Sequence, residues 1–314
     1  MPAQLKFSKT LDFSQLPKDW RVTRASVDWK GSPLLLVEEG KPPYPSVDPS
    51  MEAHIKWINT PPKAHHLIYW EGLSQRTLTF EKSTRLFTFH VQPFAEGWLL
   101  GEGRGGHADI CDKAGRLQRT LDLGDAINDV QTTPNGHIWV SYFDEGVFGD
   151  GVGRHGLVCF DSSAQPIFKY SEFAERNQLP SIADCYAMNV VDEEEVWLSY
   201  YTDFPLVSIK NFQLEQVWKD FECIDRAFAL NGDTVIFQKC YTRREGKSQL
   251  LRRTLSDSAK TEVVDVVDET GALLEGLFKV VARGPNLYLL TGTALHKLQM
   301  NLQLGISEEL LNSR

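Results

Sequence analysis

The chain has 314 residues, of which 42% are hydrophobic and 24% charged, enough apolar material to bury a core without staples. Its formal net charge of −9 argues against non-specific binding to nucleic acid or anionic membrane, which both recruit basic patches. No run approaches the roughly 18 apolar residues of a membrane span, and no basic segment followed by an apolar run opens the chain. A monomeric cytoplasmic protein is expected.

In chain order, one pattern recurs six times. An early strand, Lys6–Phe13, stands alone and echoes Arg116–Leu123. The first unit then has strands at Ala25–Val27, Leu34–Val37, His66–Trp70 and Thr77–Phe80, with a long proline-rich loop over 38–65. The second runs Phe87–Val91, Trp98–Leu100, Ala108–Cys111 and Leu117–Leu121. The third runs Asp129–Thr132, Ile138–Tyr142, Leu157–Phe160 and Ile167–Tyr170. The fourth runs Tyr186–Val190, Val196–Tyr200, Leu206–Ile209 and Glu215–Trp218. The fifth runs Ala227–Leu230, Thr234–Phe237, Leu250–Arg253 and Glu262–Val266. The sixth has only Phe278–Val281, Leu287–Leu290 and Ala294–Leu298 before a C-terminal tail at 303–314.

Turn signals separate the first two strands of each unit, for example Asn135-Gly136 and Asn231-Gly232. Gly and Asn tolerate the positive φ that tight hairpins need. Six four-stranded antiparallel units, the last completed by residues 1–13, predict an all-β, six-bladed β-propeller filling 1–314 as one domain. Closing the ring hides an apolar blade face and a strand edge that would otherwise invite aggregation.

The segment from Asp129-Val130 through Gly136-His137-Ile138-Trp139-Val140 to Gly156–Asp161 resembles the repeat of bacterial sensor propellers, within the group of NHL-type and gluconolactonase-like six-bladed propellers. Ile127-Asn128-Asp129-Val130 looks like the Asn-Asp segment of gluconolactonase-like enzymes. That resemblance implies that Asn128 faces a central pocket holding a divalent cation.

In a propeller the long loops joining second to third strands share a face with the starts of the inner strands. Function should concentrate there. Gly101–Gly106, with Arg104 and the neighbouring His107, offers backbone N–H groups and a cation to an anion. Asp144, Glu145 and Asp203, near Asn128 and Asp129, offer oxygen ligands to Ca²⁺, the candidate cofactor. Asp184 and Asp225 open inner strands, so Asn128 and Asp184 are the candidate metal ligands. Tyr142 and Tyr201 supply aromatic surface for a partner. No zinc-type His spacing and no G-x-S-x-G elbow appears. The five cysteines, Cys111, Cys159, Cys185, Cys223 and Cys240, form no Cys-x-x-Cys pair and are expected reduced and packed as small apolar residues.

Two functions are consistent with this pattern. One is a binding scaffold that recognises a protein or other macromolecular partner through its loop-rich channel face, with a protein or small-molecule partner expected at the channel mouth. The alternative is a divalent-metal-dependent hydrolase or lactonase.

Overall fold

The structure, a computed structural model, describes residues 3–41, 50–58, 60, 62–80, 88–103, 105–219, 221–240, 248–256, 260–274 and 276–298. Arg104, residues 42–49 of the expected loop and the tail at 303–314 lie outside the described residues.

β1 (Ala3–Asp12) opens the fold. β2 (Trp20–Val27), β3 (Pro33–Glu39), β4 (Ala64–Glu71) and β5 (Ser74–Thr79) form a four-stranded antiparallel sheet. The same arrangement recurs in β6 (Thr88–Phe94), β7 (Gly97–Glu102), β8 (His107–Cys111) and β9 (Leu117–Asp122). A third sheet holds β10 (Ile127–Thr132), β11 (Ile138–Tyr142), β12 (Leu157–Phe160) and β13 (Pro166–Lys169). A fourth holds β14 (Asp184–Val190), β15 (Glu195–Tyr201), β16 (Leu206–Lys210) and β17 (Gln213–Trp218).

The remaining strands join one eight-stranded sheet. β18 (Ile224–Asn231), β19 (Thr234–Lys239), β20 (Leu250–Thr254) and β21 (Glu262–Val267) are followed across the sheet by β1. Beyond it come β24 (Ala294–Leu298), β23 (Asn286–Leu290) and β22 (Lys279–Arg283). β1 makes this join. Its Ala3–Lys6 half runs parallel to Val264–Val267, and its Phe7–Asp12 half runs antiparallel to Leu298–Ala294. Among the described residues the first strand therefore lies beside the last, as expected from the sequence, and additionally ties that sheet half to β21.

Burial explains the sequence texture. β3, β11 and β15 are packed on both faces and read as nearly unbroken apolar runs, whereas β5 and β9 lie at sheet edges and are mostly exposed. Trp139 and Trp197 pack against the neighbouring sheet, Trp139 with Tyr200 and Trp197 with Phe228 in shared clusters.

Among the described residues, three α-helices interrupt this pattern. α1 (Met51–Ile58) sits within the expected 38–65 loop, α2 (Asp144–Val147) follows β11, and α3 (Tyr170–Asn177) begins where the fourth strand of the third unit was expected to end. α3 buries Tyr170, Phe173 and Ala174 against β14 and β15, so tertiary burial overrides the local strand pattern.

The first strands of the sheets contact one another in turn, β2 to β6, β6 to β10, β10 to β14, β14 to β18, β18 to β22, and β22 back to β2. Side chains lace them together. Ser26 Oγ donates to the Val91 carbonyl, and Thr132 Oγ1 donates to the Pro93 carbonyl at 2.6 Å. Gln131 donates to the Met188 carbonyl and accepts from the Val190 N–H. Asn189 donates to the Phe228 carbonyl and accepts from the Gly284 N–H. Arg283, only 2% exposed, sits among them. Its Nε donates to the Val190 carbonyl at 2.8 Å, its Nη2 to the Thr132 carbonyl at 2.7 Å, and its Nη1 to Gln92 Oε1 at 3.2 Å.

The cysteine expectation is corrected in part. Cys111, Cys159 and Cys185 are buried thiols, but Cys223 and Cys240 form a disulfide. The hairpin register gives the reason. Leu230 pairs with Val235, and a regular ladder continued from there would set Asp225 opposite Cys240. Two extra residues in β18 between Ile224 and Phe228 shift the register and bring Cys223 opposite Cys240 instead.

Phe7 is fully buried between β1 and the β22–β24 strands. The Phe7→Ala variant is expected to lose about 3–5 kcal/mol in denaturant titration. An unchanged midpoint would show that β1 is not a structural closure.

Candidate functional site

Five of the first strands carry a bulge near their start. The register slips between Val22 and Arg24, Thr88 and His90, Ile127 and Asp129, Asp184 and Ala187, and Ile224 and Phe228. A bulge breaks the two-residue alternation and re-aims side chains. Here the bulges gather at one end of the channel. They surround a cavity of about 540 Å³ lined by Arg24, His90, Asn128, Asp184, Tyr186, Asp225 and Arg226, with Gly103, Phe143 and Cys240 from the following segments. A narrower cavity of about 140 Å³ continues inward past Asp129, Gln131, Lys279 and Gln92.

Each polar group has an identifiable environment. Asn128 Nδ2 donates to the Cys185 carbonyl at 2.7 Å, which bridges β10 to β14. Asp129 accepts from the Val130 N–H and from Gln131 Nε2, and its Oδ1 lies 3.7 Å from His90 Nδ1. Arg24 is half-buried and donates from Nη1 to the Thr23 carbonyl. Burial, and then the positive charge of Arg226, depress its pKa. Arg226 lies in the left-handed region at φ 72°, an uncommon conformation for a residue with a side chain. Its Nε is 3.8 Å from Asp225 Oδ1.

Asp184 is pushed up to about 6, first by burial and then by the negative charge of Asp144 on α2. Tyr186, Phe204 and Tyr201 form an aromatic chain from the cavity to the surface, with ring centroids 5.7 and 5.5 Å apart.

Of the residues expected at this face, Asn128, Asp184 and Asp225 line the wide cavity and Asp129 lines its inner extension. Asp144 stands close enough to act on Asp184, while Glu145 is exposed on α2. Asp203 sits in a left-handed turn beside Phe204. Tyr201 is exposed. His107 is exposed on β8 and does not line either cavity. Tyr142, expected to present aromatic surface, is fully buried, and its hydroxyl donates to the Leu123 carbonyl. Its neighbours in the apolar strand pack it into the core.

Arg24, His90, Tyr186 and Arg226 were not expected at the site. Arg24 and Arg226 precede the expected strands, His90 and Tyr186 lie within them, and irregular registers near the strand starts place all four at the cavity.

The resemblance to gluconolactonase-like proteins implies a divalent cation at this position. Asn128 and Asp184 are two oxygen donors, whereas Ca²⁺ takes six to eight. Among the described residues no group of three or more His, Cys, Asp or Glu side chains is placed to hold a metal ion. Arg24 and Arg226 share the same cavity. The described side chains do not by themselves make a cation cage.

A family model, the YxzG family, matches residues 157–298, less than half of the chain. No curated protein matches the sequence. Among solved structures, the chain is similar to virginiamycin B lyase from Staphylococcus aureus at 10% identity and a TM-score of 0.50, with 95% of this chain and 100% of that one covered. It is also similar to a gluconolactonase from Xanthomonas campestris at 10% identity and a TM-score of 0.47, covering 88% of this chain and 86% of that one. BamB from Moraxella catarrhalis matches at 8% identity and a TM-score of 0.45, covering 87% and 81%. At 10% identity the likeness to virginiamycin B lyase shows the fold alone, an all-β propeller-like architecture. No helix among the described residues is long and apolar enough to cross a membrane.

The raised Asp184 carboxyl predicts a pH-dependent penalty. Its ionisation is harder in the folded than in the unfolded chain. It therefore costs nothing below the unfolded value near 3.8 and destabilises increasingly as pH rises towards about 6. After solvent screening of this half-buried group, Asp184→Asn is expected to stabilise the protein by about 1 kcal/mol at pH 7.5. The gain should vanish below about pH 4. A constant difference across that range in thermal melts would contradict the assignment.

Proposed function

We propose that the protein is a six-bladed propeller that works as a binding module, with its ligand or partner seated at the channel mouth. The carrying observation is the cavity of about 540 Å³. Five strand bulges line it with two arginines, two aspartates, an asparagine and a tyrosine. Concave sites with a few convergent polar groups are the usual form of a ligand site.

The six-blade count follows from dividing the eight-stranded sheet at the parallel β1–β21 pairing, where two four-stranded antiparallel units meet. Of the nine described non-glycine residues at positive φ, Arg226 is the one that lines the cavity. A non-glycine residue in a left-handed bulge costs about 1–3 kcal/mol, and such strain concentrates at ligand sites.

The alternative, a metal-dependent hydrolase or lactonase, rests on Asn128 and Asp184 lining the same cavity. Two cationic side chains in that cavity weigh against a divalent ion and favour recognition of a ligand.

The test uses thermal melts of the protein with two fractions of a cell extract from its source, small molecules and macromolecules. One fraction should raise the midpoint by several degrees, since a ligand at 100 times its Kd stabilises by about 2.7 kcal/mol. The double variant Phe143→Ala/Arg226→Gly should lose that rise while remaining folded. Glycine relaxes the left-handed backbone, so folding tolerates the change. No rise with either fraction, or an equal rise in the variant, would contradict a site at the mouth. A rise produced instead by added Ca²⁺ and removed by Asp184→Ala would favour the hydrolase.

A further inference from the structure

The charges around the mouth are sorted by sign. In ring order, β18 contributes Arg226, β22 contributes Lys279 to the inner extension, and β2 contributes Arg24. These are consecutive strands, so the cations form one arc. β10 and β14 lie opposite and contribute Asp129 and Asp184, with Asp144 of α2 acting on Asp184. Asp225 shares β18 with Arg226, 3.8 Å from its Nε, and His90 on β6 stands between β2 and β10. Taken together, the mouth and its inner extension therefore have a mainly basic side and an acidic side.

Each side feels a like-charge repulsion, from Arg226 within the lining on one side and from Asp144 outside the lining on the other. Arg226 acts unfavourably on the half-buried Arg24, and Asp144 acts unfavourably on the half-buried Asp184. An anion seated at the first pair removes one repulsion, and a cation seated at the second removes the other. A purely anionic ligand leaves the acidic side uncompensated and meets repulsion from it. A purely cationic ligand has the reverse difficulty.

Resting on the binding reading above, we propose that the channel mouth recognises a small zwitterion, its anionic group held by Arg24 and Arg226 and its ammonium group held by Asp184. Guanidinium groups suit carboxylate or phosphate oxygens through paired N–H donors, and a carboxylate accepts from an ammonium. Tyr186 and Phe143 line the same cavity on the side of β14 and β11 and offer apolar surface to the linker of such a molecule. The cavity volume accommodates a ligand of amino-acid to short-peptide size.

The probes are a series of straight-chain ω-amino acids from glycine to 8-aminooctanoate, with hexanoate and hexylamine as singly charged controls. Isothermal titration should show an optimum chain length that binds at least 10-fold tighter than either control. Arg226→Gly and Asp184→Asn should each weaken that ligand by roughly 10- to 100-fold, the range for losing a charged hydrogen-bond partner. Hexanoate binding as tightly as 6-aminohexanoate would reduce the site to an anion site and overturn the proposal. Hexylamine binding as tightly would overturn it from the other side. If no ω-amino acid binds while an extract fraction still stabilises the protein through the mouth, the zwitterion proposal fails and the binding reading survives. If neither binds, both fail.

Discussion

One buried guanidinium holds the centre of this protein. Arg283 leaves β22, crosses the axis and donates to groups on β14, β10 and β6. Four sheets that share no hydrogen-bonded ladder meet at one side chain. Burial lowers its pKa to about 10, with Asp28 opposing that shift, so it remains charged at neutral pH. The carbonyls of Val190 and Thr132 and the Gln92 amide oxygen satisfy its donors. Without them a buried cation would be strongly unfavourable. Around it, Gln131, Asn189 and Thr132 bind adjacent first strands to each other. The inner end of the channel is therefore a polar lattice in which each strand is positioned by its neighbours.

That lattice frees the other end. Inner strands anchored near their C-terminal ends need not keep regular pairing at their starts, and five of them bulge there. The bulges turn Asn128, Asp184, Asp225 and Arg226 toward common space. In β18 the same irregularity aligns Cys223 with Cys240, so a disulfide fastens the strand that carries Asp225 and Arg226. The site is thus a by-product of packing only in part. The left-handed backbone of Arg226 and the burial of Asp184 near the charge of Asp144 are costs carried at the cavity.

The architecture was legible because its signals are local and repeated. Apolar second strands such as Ile138–Tyr142 and Val196–Tyr200, preceded by turn residues, recur at each sheet, and the echo of residues 116–123 in 6–13 revealed the closing strand. Asn128, Asp184 and Asp225 were also legible, because they open strands. The remainder depended on tertiary registers that no local pattern encodes. Arg24 and Arg226 became site residues through bulges, and the Cys223–Cys240 pair required a two-residue slip in a hairpin. Tyr142 was misplaced because it alternates with Ser141 next to a long loop, yet packs inward. Tyr170, which opens α3, was read as the end of a strand, since an apolar residue there fits either period until a neighbouring sheet is present to receive it.

The most direct test of this organisation is amide hydrogen exchange in Arg283→Met. Methionine fills similar volume and removes the donors. If Arg283 ties the sheets together, protection should fall together at first-strand amides of β6, β10, β14 and β22, four segments far apart in sequence. Loss of protection confined to β22 would mean that the sheets hold the axis without it, and the central claim would be wrong.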